Sequence, residues 1–174
     1  MEKKNAFTIT RARPEDAAAL LDYLKIVGGE TDNLSFGAEG VPLAPEEEQA
    51  YLRTQVDSPD HVQYLARVDG ELIGTASLNR KPGRMRHRGV FGISLKRAWW
   101  GCGASSALTE AILAFARENG FAQLDLEVRS DNTRAIRLYE RYGFRKLCTF
   151  PAFFKIRGEA VDYDLMNLTL EHAE

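Results

Sequence analysis

The chain has 174 residues, of which 44% are hydrophobic and 28% charged, and its formal net charge is −2. This composition is typical of one globular domain and excludes disordered, collagenous and coiled-coil proteins. A near-neutral charge also argues against a wholly basic nucleic-acid binder. The two cysteines, Cys102 and Cys148, and the scattered histidines lack the spacing of metal ligands. We therefore expect no metal and no nucleic-acid partner.

The start of the sequence carries no apolar segment of the kind found in secretory signal peptides after its lysines, Lys3 and Lys4. No window approaches the roughly 18 apolar residues that a membrane-spanning helix needs. The sequence thus predicts a cytoplasmic protein without a membrane partner.

The first half of the chain predicts a strand, two helices and a hairpin. Alternation at residues 7–11 indicates the strand, and the first helix is predicted at 17–27, where Gly28-Gly29 would end it. Pro45 then begins the second helix. The turn Asp69-Gly70 joins two alternating segments, which is the signature of a β-hairpin.

The second half predicts further strands alternating with helices. The basic segment Arg80–Arg88 is interpreted as a solvated hairpin tip, because no aromatic side chains are interleaved with it. The remaining strands are predicted at 90–95, 124–128, 144–156 and 161–170, and the remaining helices at 104–118 and 132–142. We predict one α+β domain at 7–171, with a mixed, mostly antiparallel sheet flanked by helices.

A glycine-rich turn between a strand and a helix is the strongest local feature. The strand 90–95 leads to Gly101-Cys102-Gly103, and a helix begins just after it. Free N–H groups at a helix N-terminus attract anions, and glycines let a phosphate approach the backbone. A dinucleotide fold would need a third glycine where Ser106 stands. The position of Asp125 fits it better, because that motif has an acidic residue about 20 residues after its glycines. A P-loop is excluded because no Gly-Lys-Ser/Thr follows.

Two motifs in the right order resemble those of the GNAT superfamily of N-acetyltransferases. The first is Arg/Gln-x-x-Gly-x-Gly/Ala, which is matched by Trp100 to Ser105 with Gly103 retained. Trp100 replaces the Arg or Gln, and Ser105 stands at the Gly/Ala position. The second is Asn-x-x-Ala-x-x-Leu-Tyr-x-x-x-Gly-Phe, which residues 132–144 match in full. The segment Leu126 to Arg129 resembles the branch that acetylates ribosomal proteins and peptide N-termini.

The resemblance implies a GNAT fold and acetyl-CoA as the acetyl donor. It implies that Ile93, Ser94 and Leu95 pair with the pantetheine arm, which enters between two splayed strands. The other residues that it implies in binding acetyl-CoA are Gly101, Cys102, Gly103, Ala104, Ser105, Ser106 and Asn132. Nearby cations that could meet the phosphates are Lys96, Arg97, Arg134 and Arg137.

The chemistry that the resemblance implies is direct transfer from a thioester to a primary amine through a tetrahedral intermediate. Tyr139 is the predicted general acid for the leaving thiolate; it follows Asn132 by two helical turns, so both lie on one helix face. Glu127 is the candidate base, directly or through a water relay. Glu30 and His87 are weaker candidates for contact with the acceptor, and direct transfer needs no nucleophile from Cys102.

Two other functions stay open from the sequence. The same fold could carry a non-catalytic acyl-CoA-binding or regulatory domain, or the glycine turn could belong to a dinucleotide oxidoreductase. For the enzyme, the acceptor is a small-molecule or peptide amine. The segments expected to shape its pocket are the loop 30–45, the segment Arg80–Arg88 and the final strands. The family also makes a homodimer possible.

Overall fold

A seven-stranded sheet forms the centre of the computed structural model, which describes residues 6–170. The strands are β1 (Thr8–Arg11), β2 (His61–Val68), β3 (Glu71–Arg80), β4 (Arg88–Leu95), β5 (Gln123–Arg129), β6 (Arg145–Ile156) and β7 (Glu159–Thr169). The helices are α1 (Ala17–Glu30), α2 (Pro45–Gln55), α3 (Ala104–Glu118) and α4 (Thr133–Arg141). The element order is the predicted one. The signal-peptide prediction, which depends on residues 1–5, and the domain end at residue 171 lie outside the described residues.

The sheet order is β1-β2-β3-β4-β5-β7-β6, and every neighbouring pair is antiparallel except β4 and β5. These two parallel strands pair only from Arg88–Val90 to Gln123–Asp125. Beyond that point β4 stays paired with β3 as far as Leu95, and β5 stays paired with β7 as far as Arg129. The sheet therefore opens between its two central strands, and a gap separates their C-terminal halves.

Each face of the sheet packs against its own helices. On one face, α3 presents Leu108, Ile112 and Phe115 at helical spacing to the larger core cluster. On the other face, α1 and α2 bury Tyr23 and Leu52 in a second cluster. Because side chains alternate along a strand, neighbouring residues of β4 and β5 face different helices.

The prediction that Gly28-Gly29 ends the first helix is wrong, because α1 continues to Glu30. A Cβ atom at position 28 would lie 2.0 Å from the carbonyl oxygen of Gly37. Gly28 is thus needed because the following loop packs against the helix, and it does not act as a helix stop. Within residues 6–170, no helix is long and apolar enough to cross a membrane.

The interpretation of Arg80–Arg88 as a solvated tip is also wrong for three residues at its ends, Arg80, Lys81 and Arg88. Arg88 forms a bidentate pair with the buried Asp125, at 2.8 and 2.6 Å, and Lys81 lies 3.3 Å from the same carboxylate. Arg80 pairs with Asp60, and its guanidinium lies 3.7 Å from the ring centroid of Phe121. These cations neutralise acids within the fold.

Candidate active site

A cleft of about 540 Å³ occupies the gap between β4 and β5. This volume lies within the range usual for small-molecule sites. The edge of β4 from Phe91 to Leu95 has no strand partner on the side of β5, so backbone N–H and C=O groups face the cleft. An extended ligand arm could pair with this edge as an added strand would.

The glycine turn forms one end of the cleft. Gly101 and Gly103 have φ values of +85° and +92°, a left-handed conformation that glycine adopts without strain. Gly103 is the N-cap of α3, and its carbonyl accepts the first helical hydrogen bond, from Ala107. The N–H groups of residues 104–106 have no acceptor among the residues that the structure describes. Free donors of this kind, together with the helix dipole, are favourable for binding an anion.

Helix α4 lies along the cleft and contributes a face of several residues. Asn132 is the N-cap, and its side-chain oxygen accepts the N–H of Ala135 at 3.3 Å, which leaves the amide NH₂ group for a ligand. The side chains of Arg134, Leu138, Tyr139 and Arg141 also line the cleft. Positions 134 and 141 are two turns apart, so they share one face of the helix.

Tyr139 is 7% exposed and lies among aromatic rings. Its ring centroid is 6.0 Å from that of Phe91 in an edge-to-face arrangement, and 5.9 Å from that of Phe144. Burial raises the pKa of its hydroxyl well above the ordinary value. The hydroxyl therefore stays protonated at neutral pH and can donate a hydrogen bond into the cleft.

Glu127 and Ser94 line the cleft from the side of the sheet that carries α1. Glu127 is exposed, whereas its strand neighbour Asp125, on the same face, is buried in ion pairs. The hydroxyl of Ser94 lies 2.9 Å from that of the buried Tyr23 on α1. Burial raises the pKa of Tyr23, outweighing this hydrogen bond, so Tyr23 is a neutral partner that holds Ser94 in place.

The loop after α1 and the β6–β7 pair close this side of the cleft. The loop residues that line it are Thr31, Asn33, Leu34 and Ser35, and the strand residues are Phe154 and Tyr163. The hydroxyl of Tyr163 donates to the carbonyl of Asn33 at 3.4 Å, and Arg157 pairs with Asp32 at 3.1 Å. These contacts tie the loop to the end of the β6–β7 pair.

Most of the predicted site residues come together in this cleft. Those that line it are Ile93, Ser94, Leu95, Gly101, Gly103, Ser105, Ser106, Glu127, Asn132 and Tyr139. The side chain of Ala104 is buried in the core cluster and that of Cys102 packs against it, and neither residue lines the cleft.

Several weaker candidates have other partners. The carboxylate of Glu30 accepts the N–H of Arg97 at 2.7 Å, and the Arg97 guanidinium donates to the Glu30 carbonyl. Lys96 pairs with Glu71 at 2.7 Å. The exposed Arg137 does not line the cleft.

The prediction that His87 and the basic segment shape the acceptor pocket is wrong. The backbone carbonyl of His87 accepts the N–H of Ala122, at the end of the sheet where β4 and β5 are still paired. No residue of 80–90 lines the cleft. Because β4 runs from Arg88 towards Leu95, the segment that precedes it lies at the opposite end.

The final strands were expected to shape the pocket, and Phe154 and Tyr163 from these strands line the cleft. Sequence reasoning missed Arg141, for which the seven-residue spacing from Arg134 was a usable signal. Among the described residues, no group of three or more His, Cys, Asp or Glu side chains could hold a metal ion.

The fold and the cleft together define a class of proteins in which a mostly antiparallel sheet opens a cleft between its two parallel strands. The sequence model described as "Acetyltransferase (GNAT) family" matches residues 31–144. An L-amino acid N-acetyltransferase of Escherichia coli is 32% identical over 110 residues, which are 61% of this chain and 67% of that protein. The chain covers only 40% of the length of a mycothiol acetyltransferase from Salinispora tropica that is 33% identical.

Solved structures of GNAT acetyltransferases share the fold of this chain. A GNAT acetyltransferase from Streptococcus pneumoniae superposes with a TM-score of 0.91 at 29% identity, covering 95% of this chain and all of that one. The acetyltransferase yncA of Salmonella typhimurium, solved with acetyl-CoA, gives 0.83 at 22% identity, covering 97% and 96%. Ribosomal-protein-alanine N-acetyltransferases share the fold at 22% and 19% identity.

The chain belongs to the GNAT family of acetyltransferases. This confirms the predicted α+β fold and the predicted class of acyltransferase. The family match also removes the dinucleotide oxidoreductase as an explanation of the glycine turn.

Proposed function

We propose that this protein transfers an acetyl group from acetyl-CoA to a primary amine. The observation that carries the proposal is the gap between β4 and β5, which opens onto the glycine turn at the N-terminus of α3. The unpaired edge of residues 93–95 suits the amides of a pantetheine arm. The free N–H groups of residues 104–106 suit the diphosphate.

In the proposed mechanism the amine nitrogen attacks the thioester carbonyl carbon and the carbon–sulfur bond then breaks. The attacking amine must be neutral, so its proton passes to Glu127, directly or through water. Donor N–H groups on the free edge of β4 stabilise the oxyanion of the tetrahedral intermediate. This geometry supports direct transfer without a covalent enzyme intermediate.

Tyr139 is the proposed partner of the leaving thiolate. A free thiol has a pKa of about 8.5 and a free tyrosine about 10, and burial raises that of Tyr139 further. Full proton transfer from Tyr139 is therefore less favourable than the sequence alone indicated. The hydroxyl contributes first by a hydrogen bond to the developing negative charge on sulfur, and the proton follows as the bond breaks.

The acceptor side of the cleft favours an amine that has no neighbouring carboxylate. It carries the carboxylate of Glu127 and the aromatic rings of Phe154 and Tyr163. The nearby Arg129 already donates to both carboxylate oxygens of Asp131, and it also donates to the carbonyl of Asp32 at 3.4 Å. A free amino acid would place its own carboxylate close to that of Glu127, while the Arg129 guanidinium is already bound by Asp131.

The test is a panel of amines assayed for release of CoA thiol, with N-acetylated products identified by mass spectrometry. Phenylalanine and phenylalaninamide form a matched pair, as do methionine and methioninamide. We expect the amides to have at least tenfold higher kcat/KM, and Glu127→Gln to lower turnover while leaving CoA binding unchanged. Higher kcat/KM for the free acids would contradict the acceptor assignment. CoA binding without turnover of any amine would favour the non-catalytic alternative.

A further inference from the structure

We propose that Arg134 binds the diphosphate of the donor and that Trp100 is a positioning residue that holds Arg134 beside the glycine turn. This inference depends on the proposed function, because it names two side chains that would bind the same donor. It concerns the position at which the first motif departs from the family pattern.

Trp100 stands where that motif has Arg or Gln, so the turn lacks a cation or amide of its own at this point. The indole cannot replace the missing donor. Its single N–H group already donates to the carbonyl of Leu95 at 2.9 Å, which fixes the orientation of the ring. A side-chain cation that assists the backbone N–H groups in binding the diphosphate would therefore come from another element.

Arg134, on α4, supplies a charge in the right place. Its guanidinium carbon lies 4.5 Å from the ring centroid of Trp100, within the range of a cation–π contact. One of its terminal nitrogens lies 3.9 Å from the position that a Cβ atom on Gly101 would occupy. All three residues line the cleft.

The neighbouring cations differ from Arg134 in their partners. Lys96 pairs with the carboxylate of Glu71. The Arg97 guanidinium donates to the backbone carbonyl of Glu30, lies 5.5 Å from the ring centroid of Trp100, farther than that of Arg134, and does not line the cleft. Arg134 forms no ion pair or hydrogen bond with any residue in the described range 6–170. It is therefore a charge that the fold positions by stacking but does not neutralise.

The geometry gives the two side chains complementary tasks. A guanidinium presents a planar set of donors that matches two phosphate oxygens, which a lysine cannot do. Stacking on a fixed indole restricts the arginine before the ligand binds, so less side-chain freedom is lost on binding. Because position 101 has no side chain, the guanidinium can lie close to the free N–H groups of the turn.

The test measures the Kd of CoA by calorimetry for the wild type, Arg134→Ala and the matched control Arg137→Ala. The control removes an arginine from the same helix that does not line the cleft. We expect Arg134→Ala to weaken binding about tenfold and Arg137→Ala to change it less than twofold. In 0.5 M NaCl the effect of Arg134→Ala should shrink, because salt screens an exposed charge. A loss independent of salt would indicate a structural role and would overturn the proposal.

Two further measurements test the partners of Arg134. With 3′-dephospho-CoA the effect of Arg134→Ala should persist, since this ligand keeps the diphosphate. If the effect disappeared, Arg134 would bind the 3′-phosphate instead, and the assignment would be overturned. Trp100→Ala should weaken binding severalfold, and the double variant should bind no more weakly than Arg134→Ala alone. Fully additive losses would show that Trp100 does not act through Arg134.

These binding tests and the acetylation assay can fail independently of each other. A wild-type protein that binds CoA in an Arg134-dependent manner but acetylates no amine would retain this inference and overturn the proposed function. A protein that acetylates amines and binds CoA equally well with Arg134→Ala would do the reverse.

Discussion

The two ends of the β4–β5 strand pair differ in how their polar groups are satisfied. At the closed end, where the strands still pair, Asp125 receives hydrogen bonds from Arg88 and Asn167 and lies 3.3 Å from Lys81. At the open end, the edge of β4 and the first turn of α3 leave backbone donors without acceptors.

The paired side chains at the closed end stabilise the fold, whereas the backbone donors at the open end are free to bind a ligand. At the closed end, Arg80 and Arg88 pair with Asp60 and Asp125, and no residue of 80–90 lines the cleft. At the open end, Arg134 lines the cleft and stacks on Trp100 without an ion pair in the described range. The number of basic residues in a segment is therefore a poor guide to anion binding, and the partners of each cation are a better one.

The largest effect is expected at the open end, from Tyr139→Phe. Removing the hydroxyl should lower kcat about 100-fold, in the range usual for a lost acid catalyst, while CoA binding stays within twofold. Because burial raises the pKa of Tyr139, the loss should be the same from pH 7 to pH 9. The control is Tyr51→Phe, since the Tyr51 hydroxyl bonds to Asn79 and neither residue lines the cleft. Unchanged turnover in Tyr139→Phe would remove this residue from the mechanism.

At the closed end, Asp125→Asn should act on stability. The loss of a buried, paired carboxylate should cost about 2 kcal/mol in the free energy of unfolding at pH 7. Burial opposes ionisation of Asp125, but the bonds from Arg88, Asn167 and Lys81 outweigh it and hold its pKa below the usual range.

Such a depressed pKa fixes the sign of the pH dependence. The stabilisation by ionised Asp125 is complete above the unfolded-state value of about 3.9 and is lost as pH falls towards the folded-state value. Urea unfolding at several pH values should show the wild-type advantage shrinking below about pH 4. Asp131→Asn, at an exposed ion pair, is the matched control and should change stability by less than about 1 kcal/mol. A constant difference at all pH values would contradict this account.

The substitution Ser105→Asp should affect protein stability and CoA binding at the open end in opposite directions. A negative charge in the first turn of α3 interacts favourably with the helix dipole, so the free energy of unfolding should rise slightly. The same charge should repel the diphosphate and weaken CoA binding about tenfold. Calorimetry and thermal unfolding of Ser105→Asp and the control Ser105→Ala test both effects. If the acidic variant bound CoA as tightly as the alanine control, the phosphates would not lie at this turn.

The sequence predicted the element order and most of the cleft, because both depend on local patterns. Alternation marks the strands, and the second motif places Asn132 and Tyr139 two turns apart on one helix. What it could not predict depends on contacts between distant segments. The hydrogen bond between Tyr23 and Ser94 spans 71 residues, and Gly28 is read as a stop unless its contact with Gly37 is known.

The role of Arg88 was misread for the same reason, whereas Arg134 was already a candidate for the phosphates. The sequence does not show which of Arg88 and Arg134 forms an ion pair within the fold, because both are arginines with other basic residues nearby. Only the register of β4 against β5 brings Arg88 onto Asp125, and only the packing of α4 brings Arg134 onto Trp100. The partner of each arginine could therefore be identified only from the tertiary structure.

The smallest effect is expected from Arg86→Ala, at the closed end. Arg86 has a largely exposed side chain that lies 3.0 Å from Asp60, and Arg80 binds the same carboxylate more closely, at 2.6 Å. An exposed pair of this kind contributes little, so stability should fall by less than about 1 kcal/mol. CoA binding should stay within twofold of the wild type, because the segment lies away from the cleft, whereas Arg134→Ala should weaken it about tenfold. A comparable loss of CoA binding in Arg86→Ala would mean that long-range charge, rather than the local partners of each arginine, governs the attraction of the donor.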